Sequence, residues 1–284
     1  MKNVLVIGKN GYIGSSIYAW LQKYPESVKA DIIGSRDGQW KAADFSKYDT
    51  VVNAAGIAHI MHPTEDMKDL YFSVNRDMAI EIGEHAKAAG VKQLITFSSM
   101  NVYGNPPENV ASKEGEAPTN DYGQSKLEAD QALAKLACES FSVASVRPPV
   151  VYGKGCKGNY NTISKAARKV PFFPTYRNRK SMIYIDNLCE FIRLLIEEGK
   201  GGVFMPQNRE IVSTSDLVRE ISRVHGRKIW FTGLGNWAVK PFAKHVGAFK
   251  KAFGDVCYEP ELSADFDYRY CVVDFPTSIE RTEK

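Results

Sequence analysis

Lys2-Asn3-Val4-Leu5-Val6-Ile7-Gly8-Lys9-Asn10-Gly11-Tyr12-Ile13-Gly14 carries a short β-branched run into a turn with three glycines, and Ile13 to Leu21 continues it with helical spacing. A buried strand, a glycine turn and a helix are the context in which a backbone can hold phosphates. Gly8 permits a tight bend, Gly11 lets the main chain approach a pyrophosphate, and Gly14 allows the helix to pack closely on the strand. Tyr12 and Ile13 lie within the same turn. The spacing is GxxGxxG, one residue longer in its first interval than the dehydrogenase fingerprint, so an ordinary strand-to-helix turn is the competing reading.

Working outward, strand-like runs recur at Val4 to Ile7, Ala30 to Ile33, Thr50 to Ala54, Gln93 to Phe97 and Ser142 to Val146, with helical patterns over 12–23, 75–89 and 122–138. Alternation of this kind predicts an α/β fold, a Rossmann-type doubly wound parallel sheet with right-handed crossovers. Residues 1–150 form the expected dinucleotide-binding domain. Beyond them Pro148, Pro149, Gly153, Gly155, Gly158, Pro171 and Pro174 break the pattern, and residues 151–284 are expected to form a smaller substrate-binding lobe, with segments near 182–205 returning to the sheet.

A net charge of +4 over 284 residues, with basic residues dispersed among acids, leaves no nucleic-acid footprint. Five scattered cysteines without a CxxC pair point to a reduced, metal-free, cytoplasmic protein. No leader-like or membrane-spanning apolar stretch is present, so a soluble protein with no integral membrane contact is expected.

The second strand ends Gly34-Ser35-Arg36, where a site for NAD would carry an acid for the ribose 2′-hydroxyl. Ser35 and Arg36 suit a 2′-phosphate instead, which keeps both NAD and NADP open as cofactors. Asp44 and Phe45 are placed to approach an adenine, although Asp44 also reads as a helix cap. Asn53-Ala54-Ala55-Gly56 ends a strand with small residues over which a cofactor can lie.

Tyr122-Gly123-Gln124-Ser125-Lys126 supplies the proton chemistry. Tyrosine titrates near pH 10, too high for a base at neutral pH unless a positive charge stabilises the phenolate. On a helix Tyr122 and Lys126 are i and i+4 and share a face. Ser99 follows the strand ending at Phe97, where open α/β sheets place their chemistry. A second YxxxK, Tyr176 to Lys180, follows two prolines and lacks a helical pattern.

With these residues assembled, the chain resembles the extended short-chain dehydrogenase/reductases of the epimerase/dehydratase type, in particular UDP-hexose 4-epimerases and UDP-4-ketosugar reductases. The resemblance rests on residues 8–14, Asn53 to Gly56, Val74-Asn75, Phe97 to Gly104, Tyr122 to Lys126, Arg147 to Gly153 and Ile183 to Leu188. It implies a catalytic triad of Ser99, Tyr122 and Lys126, with Asn75 supporting the active site and Pro148 opening the loop beside the nicotinamide. It also implies that Asn159 and Arg179 or Lys180 contact the nucleotide-sugar substrate, and that the protein is a homodimer through helices near 76–89 and 122–138. The 4,6-dehydratases carry an Asp-Glu pair directly after the catalytic Ser or Thr. Met100 and Asn101 stand there in this chain, which removes the acid and base needed for dehydration. Epimerisation at C4 and reduction of a 4-ketosugar both remain open, with a catalytically silent NAD(P)-binding sensor as the alternative from another class.

His59 and His62 are read as loop residues without a third metal ligand. The stretch from Trp230 to Phe253 interleaves aromatic and basic residues and reads as a lid of the substrate lobe or a membrane-surface segment.

Overall fold

Successive residues of the first strand serve opposite layers of the molecule. In the computed structural model, which describes residues 1–36, 38–58, 65–104, 109–234, 236 and 253–284, Val4 and Val6 pack with Ile17, Leu21, Leu188 and Ile192 on one face. Leu5 and Ile7 pack with Trp40, Phe45, Ile82 and Leu133 on the other. A strand covered on both faces has no solvent side, which is why its sequence is an unbroken apolar run.

That strand, β1 (Lys2–Ile7), lies in a six-stranded parallel sheet with β2 (Val28–Ile33), β3 (Thr50–Asn53), β4 (Gln93–Phe97), β5 (Ser142–Val146) and β9 (Gly202–Phe204), in the order β2-β1-β3-β4-β5-β9. Helices α1 (Tyr12–Leu21), α2 (Gln39–Ala42), α3 (Glu65–Tyr71), α4 (Met78–Ala88) and α5 (Asp121–Ala134) accompany the first five strands. The fold is the expected Rossmann-type parallel sheet. The chain runs from β1 to β2 on one side and then to β3 on the other, so the strand order reverses at the carboxyl ends of β1 and β3. That switch point is where such sheets leave a crevice.

The expected helix over 75–89 begins inside a longer helical run whose winding changes. Phe72–Asp77 is a π-helical turn between α3 and α4.

Beyond β5 the chain forms β6 (Val150–Tyr152), α6 (Asn159–Ala167), β7 (Phe172–Pro174), β8 (Met182–Tyr184), α7 (Ile185–Glu198), α8 (Thr214–Val224), β10 (Trp230–Thr232) and α9 (Phe275–Glu283). Of the two segments expected to rejoin the main sheet, β9 pairs with β5. Met182–Tyr184 pairs instead with Val150–Tyr152 in a separate two-stranded sheet, and β7 with β10 in another. Glu283 on α9 accepts hydrogen bonds from Tyr160 (2.8 Å) and Ser164 (3.0 Å) of α6 and lies 2.7 Å from His225 Nε2, after α8. One carboxylate therefore fastens α6 in place. His59, His62 and residues 235 and 237–252 of the aromatic, basic stretch lie outside the described residues.

Candidate active site

Each of the three glycines shapes the turn in its own way. Gly8 has a φ of +133°, a conformation that side chains disfavour. A Cβ on Gly14 would sit 2.5 Å from the Gly8 carbonyl oxygen, so any larger residue drives α1 away from the turn. Gly11 is the N-cap of α1 and has no side chain to cap it, so the first amides of the helix keep their donors for an external acceptor.

Beside this turn a cleft is lined by Gly8, Asn10, Gly11, Ser35, Arg36, Ala54, Ala55 and Gly56. Seven of these are sequence-predicted cofactor contacts. Asn10 was missed, and its place between Gly8 and Gly11 was the available signal. Tyr12 and Ile13 do not line the cleft and pack against the core. The Tyr12 hydroxyl is buried without a hydrogen-bond partner, close to where a Cβ on Gly153 would lie, and burial pushes its pKa up. Asp44 and Phe45 are not among the residues that line this cleft. Asp44 caps a short 3-10 turn by accepting from Ser46 N (3.1 Å) and Ser46 Oγ (2.6 Å), while Phe45 is buried with its ring edge-on to His85 at 4.5 Å.

The cleft runs into a second cluster at Gly56. A Cβ there would lie 3.1 Å from both Asn75 Oδ1 and Lys126 Nζ. The π turn delivers Asn75 to this point, buried, with its Oδ1 accepting from Ile57 N (2.9 Å) and its Nδ2 donating to Ile57 O (3.1 Å). Both faces of the amide thus hold the loop after β3.

Asn120 starts α5 by accepting from Gly123 N at 2.8 Å, which sets Tyr122 and Lys126 one turn apart. Tyr122 is hydrogen-bonded by Ser99, and its ring lies 5.8 Å from that of Tyr71. Burial raises the Tyr122 pKa, the Ser99 bond opposes this, and Tyr71 adds to it. Lys126 donates to Phe97 O at 2.8 Å. Burial pushes its pKa down to about 8, against the pull of Asp130. One turn further along α5, Asp130 accepts from buried Arg147 at 3.0 Å, and Arg147 also reaches Glu116 (2.9 Å) and Tyr103 (2.6 Å). Pro148 joins the cluster through its carbonyl, which accepts from Met100 N at 3.1 Å.

Two residues past Pro148, Val150 lines a second cavity together with Asn159, Tyr160, Ile163, Lys180, Ser181, Met182 and Val256. Asn159 and Lys180 therefore come together, and burial brings the lysine down to about 8. Arg179 does not join them, because its guanidinium is bound to Glu259 (3.2 Å) and Asn109 (3.3 Å). The second YxxxK is not helical, so Tyr176 and Lys180 do not share a helix face. Among the described residues no cluster of metal-ligating side chains occurs, and no helix is long and apolar enough to cross a membrane.

Comparison with known proteins gives this geometry a context. The model of the NAD dependent epimerase/dehydratase family matches residues 4–205. A UDP-glucose 4-epimerase of Vibrio cholerae is 30% identical over 271 residues, covering 87% of this chain and 83% of that protein. The N-acetyl-α-D-glucosaminyl-diphospho-ditrans,octacis-undecaprenol 4-epimerase of Escherichia coli O157:H7 is 29% identical over 249 residues, covering 80% and 73%. The crystal structure of a UDP-glucuronic acid 4-epimerase from Bacillus cereus in complex with NAD superposes with a TM-score of 0.75 at 17% identity, over 99% of this chain and 95% of that one.

Proposed function

The chain belongs to the NAD dependent epimerase/dehydratase family, and from that premise we propose that it is a nucleotide-sugar 4-epimerase acting on a UDP-hexose or UDP-N-acetylhexosamine. The observation that carries this reading is the junction at Gly56, where the dinucleotide cleft meets Asn75 and Lys126 with no side chain between them. The cleft fits a dinucleotide. Uncapped amides at the α1 N-terminus would hold a pyrophosphate, and the close packing of Gly14 on Gly8 leaves space only for backbone. Held along Gly8, Gly11, Ala54, Ala55 and Gly56, NAD would supply reversible hydride transfer at sugar C4.

The side chains of this protein manage the accompanying proton. Tyr122 Oη accepts the C4 hydroxyl proton and later gives it back, and Ser99, already bonded to Tyr122, orients the sugar oxygen. Below about pH 8 Lys126 is an ammonium, whose charge one turn from Tyr122 favours the phenolate. Asn75 holds the Ile57 loop so that the cleft stays open toward Tyr122. Lys180 and Asn159 bind the diphosphate and sugar on the far side of Pro148, with residues 151–284 as the substrate lobe. Met100 and Asn101 supply no acid or base for dehydration.

Mass spectrometry of the purified protein and conversion of UDP-galactose or its N-acetyl analogue test the proposal. Retained NAD and conversion without added reductant are the expected results. Stoichiometric NADPH consumption with a 4-ketosugar, and no conversion without reductant, would refute it. That second reading, reduction with NADP(H), is favoured by Ser35 and Arg36 in the cleft, which suit a 2′-phosphate. A homodimer through α4 and α5 is also proposed, and a monomeric mass by light scattering contradicts it.

A further inference from the structure

The aromatic and basic residues around Trp230 take no part in the proposed reaction. β7 and β10 pair in parallel, with Phe172 opposite Trp230 and Phe173 opposite Phe231. Side chains alternate along a strand, so the two pairs face opposite ways. Phe173 and Phe231 turn inward onto the core with ring centres 6.3 Å apart. Phe172 and Trp230 turn outward and are 63% and 72% exposed, with Leu234 just beyond β10 at 83%. Single exposed apolar residues are ordinary, but two large rings in register form a patch that calls for an occupant.

The flanking charge narrows that occupant. Arg168-Lys169 precedes Phe172 and Arg227-Lys228 precedes Trp230, and all four cations are exposed. The Arg227 guanidinium donates to the Arg168 carbonyl, which holds the two basic segments side by side. The nearby acids of α8 are already paired, Asp216 with Arg219 (2.9 Å) and Glu220 with Arg223 (2.5 Å). A second copy seated face to face on this edge would set the cations against their own kind. An anionic surface with an apolar layer beneath it satisfies both features, because aromatic rings settle at headgroup depth and each Lys or Arg is drawn to anionic lipid.

We propose that the β7–β10 edge, with Phe172 and Trp230 flanked by Arg168, Lys169, Arg227 and Lys228, docks the protein on an anionic lipid bilayer. None of these six residues lines either cavity or belongs to the Ser99, Tyr122 and Lys126 cluster, so the proposal and the catalytic reading stand or fall separately.

Cosedimentation of the full chain with phosphatidylcholine vesicles, with and without phosphatidylglycerol, tests it. Binding should require phosphatidylglycerol and weaken as salt rises. The pair Phe172→Ser and Trp230→Ser should lower partitioning by about tenfold or more, and Lys169→Gln with Lys228→Gln by about fivefold per cation. Turnover of soluble nucleotide sugar should stay at the wild-type level in both pairs, which shows that they fold. Absence of binding to phosphatidylglycerol vesicles at low salt overturns the proposal, as does wild-type binding by the aromatic pair variant. A doubled mass in solution that the aromatic substitutions abolish, or capture of a single-stranded oligonucleotide in place of vesicles, assigns the edge elsewhere and equally overturns it.

Discussion

Replacing Lys126 with methionine should stabilise the dinucleotide-free protein near neutral pH while abolishing turnover. Burial holds the ammonium at about 8 rather than its ordinary 10.5, so carrying the charge in the native state costs about 3 kcal/mol relative to the unfolded chain. Methionine fills a similar length without that charge. It also forfeits the hydrogen bond to Phe97 O at 2.8 Å, which contributes about 1.5 kcal/mol. A net gain of about 1–2 kcal/mol remains at pH 7. The pH dependence follows from the sign of the shift. Between pH 8 and 10.5 the native lysine has lost its proton while the unfolded one keeps it, so wild-type stability climbs with pH through that window. Below pH 8 the penalty is present in full. The advantage of the variant should therefore shrink as pH rises, vanish by about pH 9.5 and reverse above it, where only the lost hydrogen bond remains. Urea denaturation of both proteins across this range reads the difference directly, since other titrating groups cancel between them. A variant less stable than wild type at pH 7, or a gain that does not change with pH, would refute the reasoning.

Tyr122→Phe should cut turnover by about 10² or more and leave NAD affinity nearly intact, as separate kinetic and calorimetric titrations would show. Gly14→Ala puts a methyl 2.5 Å from the Gly8 carbonyl, so the turn must shift, and NAD affinity should fall by at least about tenfold. Asp130→Asn leaves the buried Arg147 short of one carboxylate while Glu116 remains, and denaturant melts should show a loss of about 3 kcal/mol. Glu283→Gln weakens the attachment of α6 and should cost about 1–2 kcal/mol at pH 7. Burial raises the Glu283 pKa, but hydrogen bonds from His225, Tyr160 and Ser164 outweigh it and hold the carboxyl below 4.5. The wild-type advantage is therefore present above pH 4.5 and should fade as pH falls through the lower native value, a trend that thermal melts can follow.

The doubly wound sheet was legible because strands covered on both faces must be apolar throughout, and β1 and β3 to β5 read that way. Tyr122 and Lys126 were equally visible, since an i, i+4 pair needs only a helix to share a face. Features that depend on non-local pairing were hidden. Nothing in Met182-Ile183-Tyr184 says that its partner is Val150–Tyr152 rather than the main sheet. Adjacent residues in an extended segment point opposite ways, so Arg179 and Lys180 looked interchangeable although Lys180 alone lines the cavity. The capping role of Asp44 was legible beside its ligand reading, because a carboxylate two residues before a serine caps a turn as readily as it binds a ligand.

The π turn at Phe72–Asp77 has a consequence for alignment and for loop engineering. Each residue added to or removed from a helix rotates everything after it by about 100°. Tyr71, before the turn, faces Tyr122, while Ile82 and Ala86, after it, face the core. The wider turn acts as a phase shifter that satisfies both orientations with one continuous helix. Deleting a single residue between 72 and 77 would restore a regular helix and put the two ends out of phase. Either Tyr71 would swing from Tyr122 or Ile82 would swing toward solvent, and the Asn75 hold on Ile57 would be lost with either outcome.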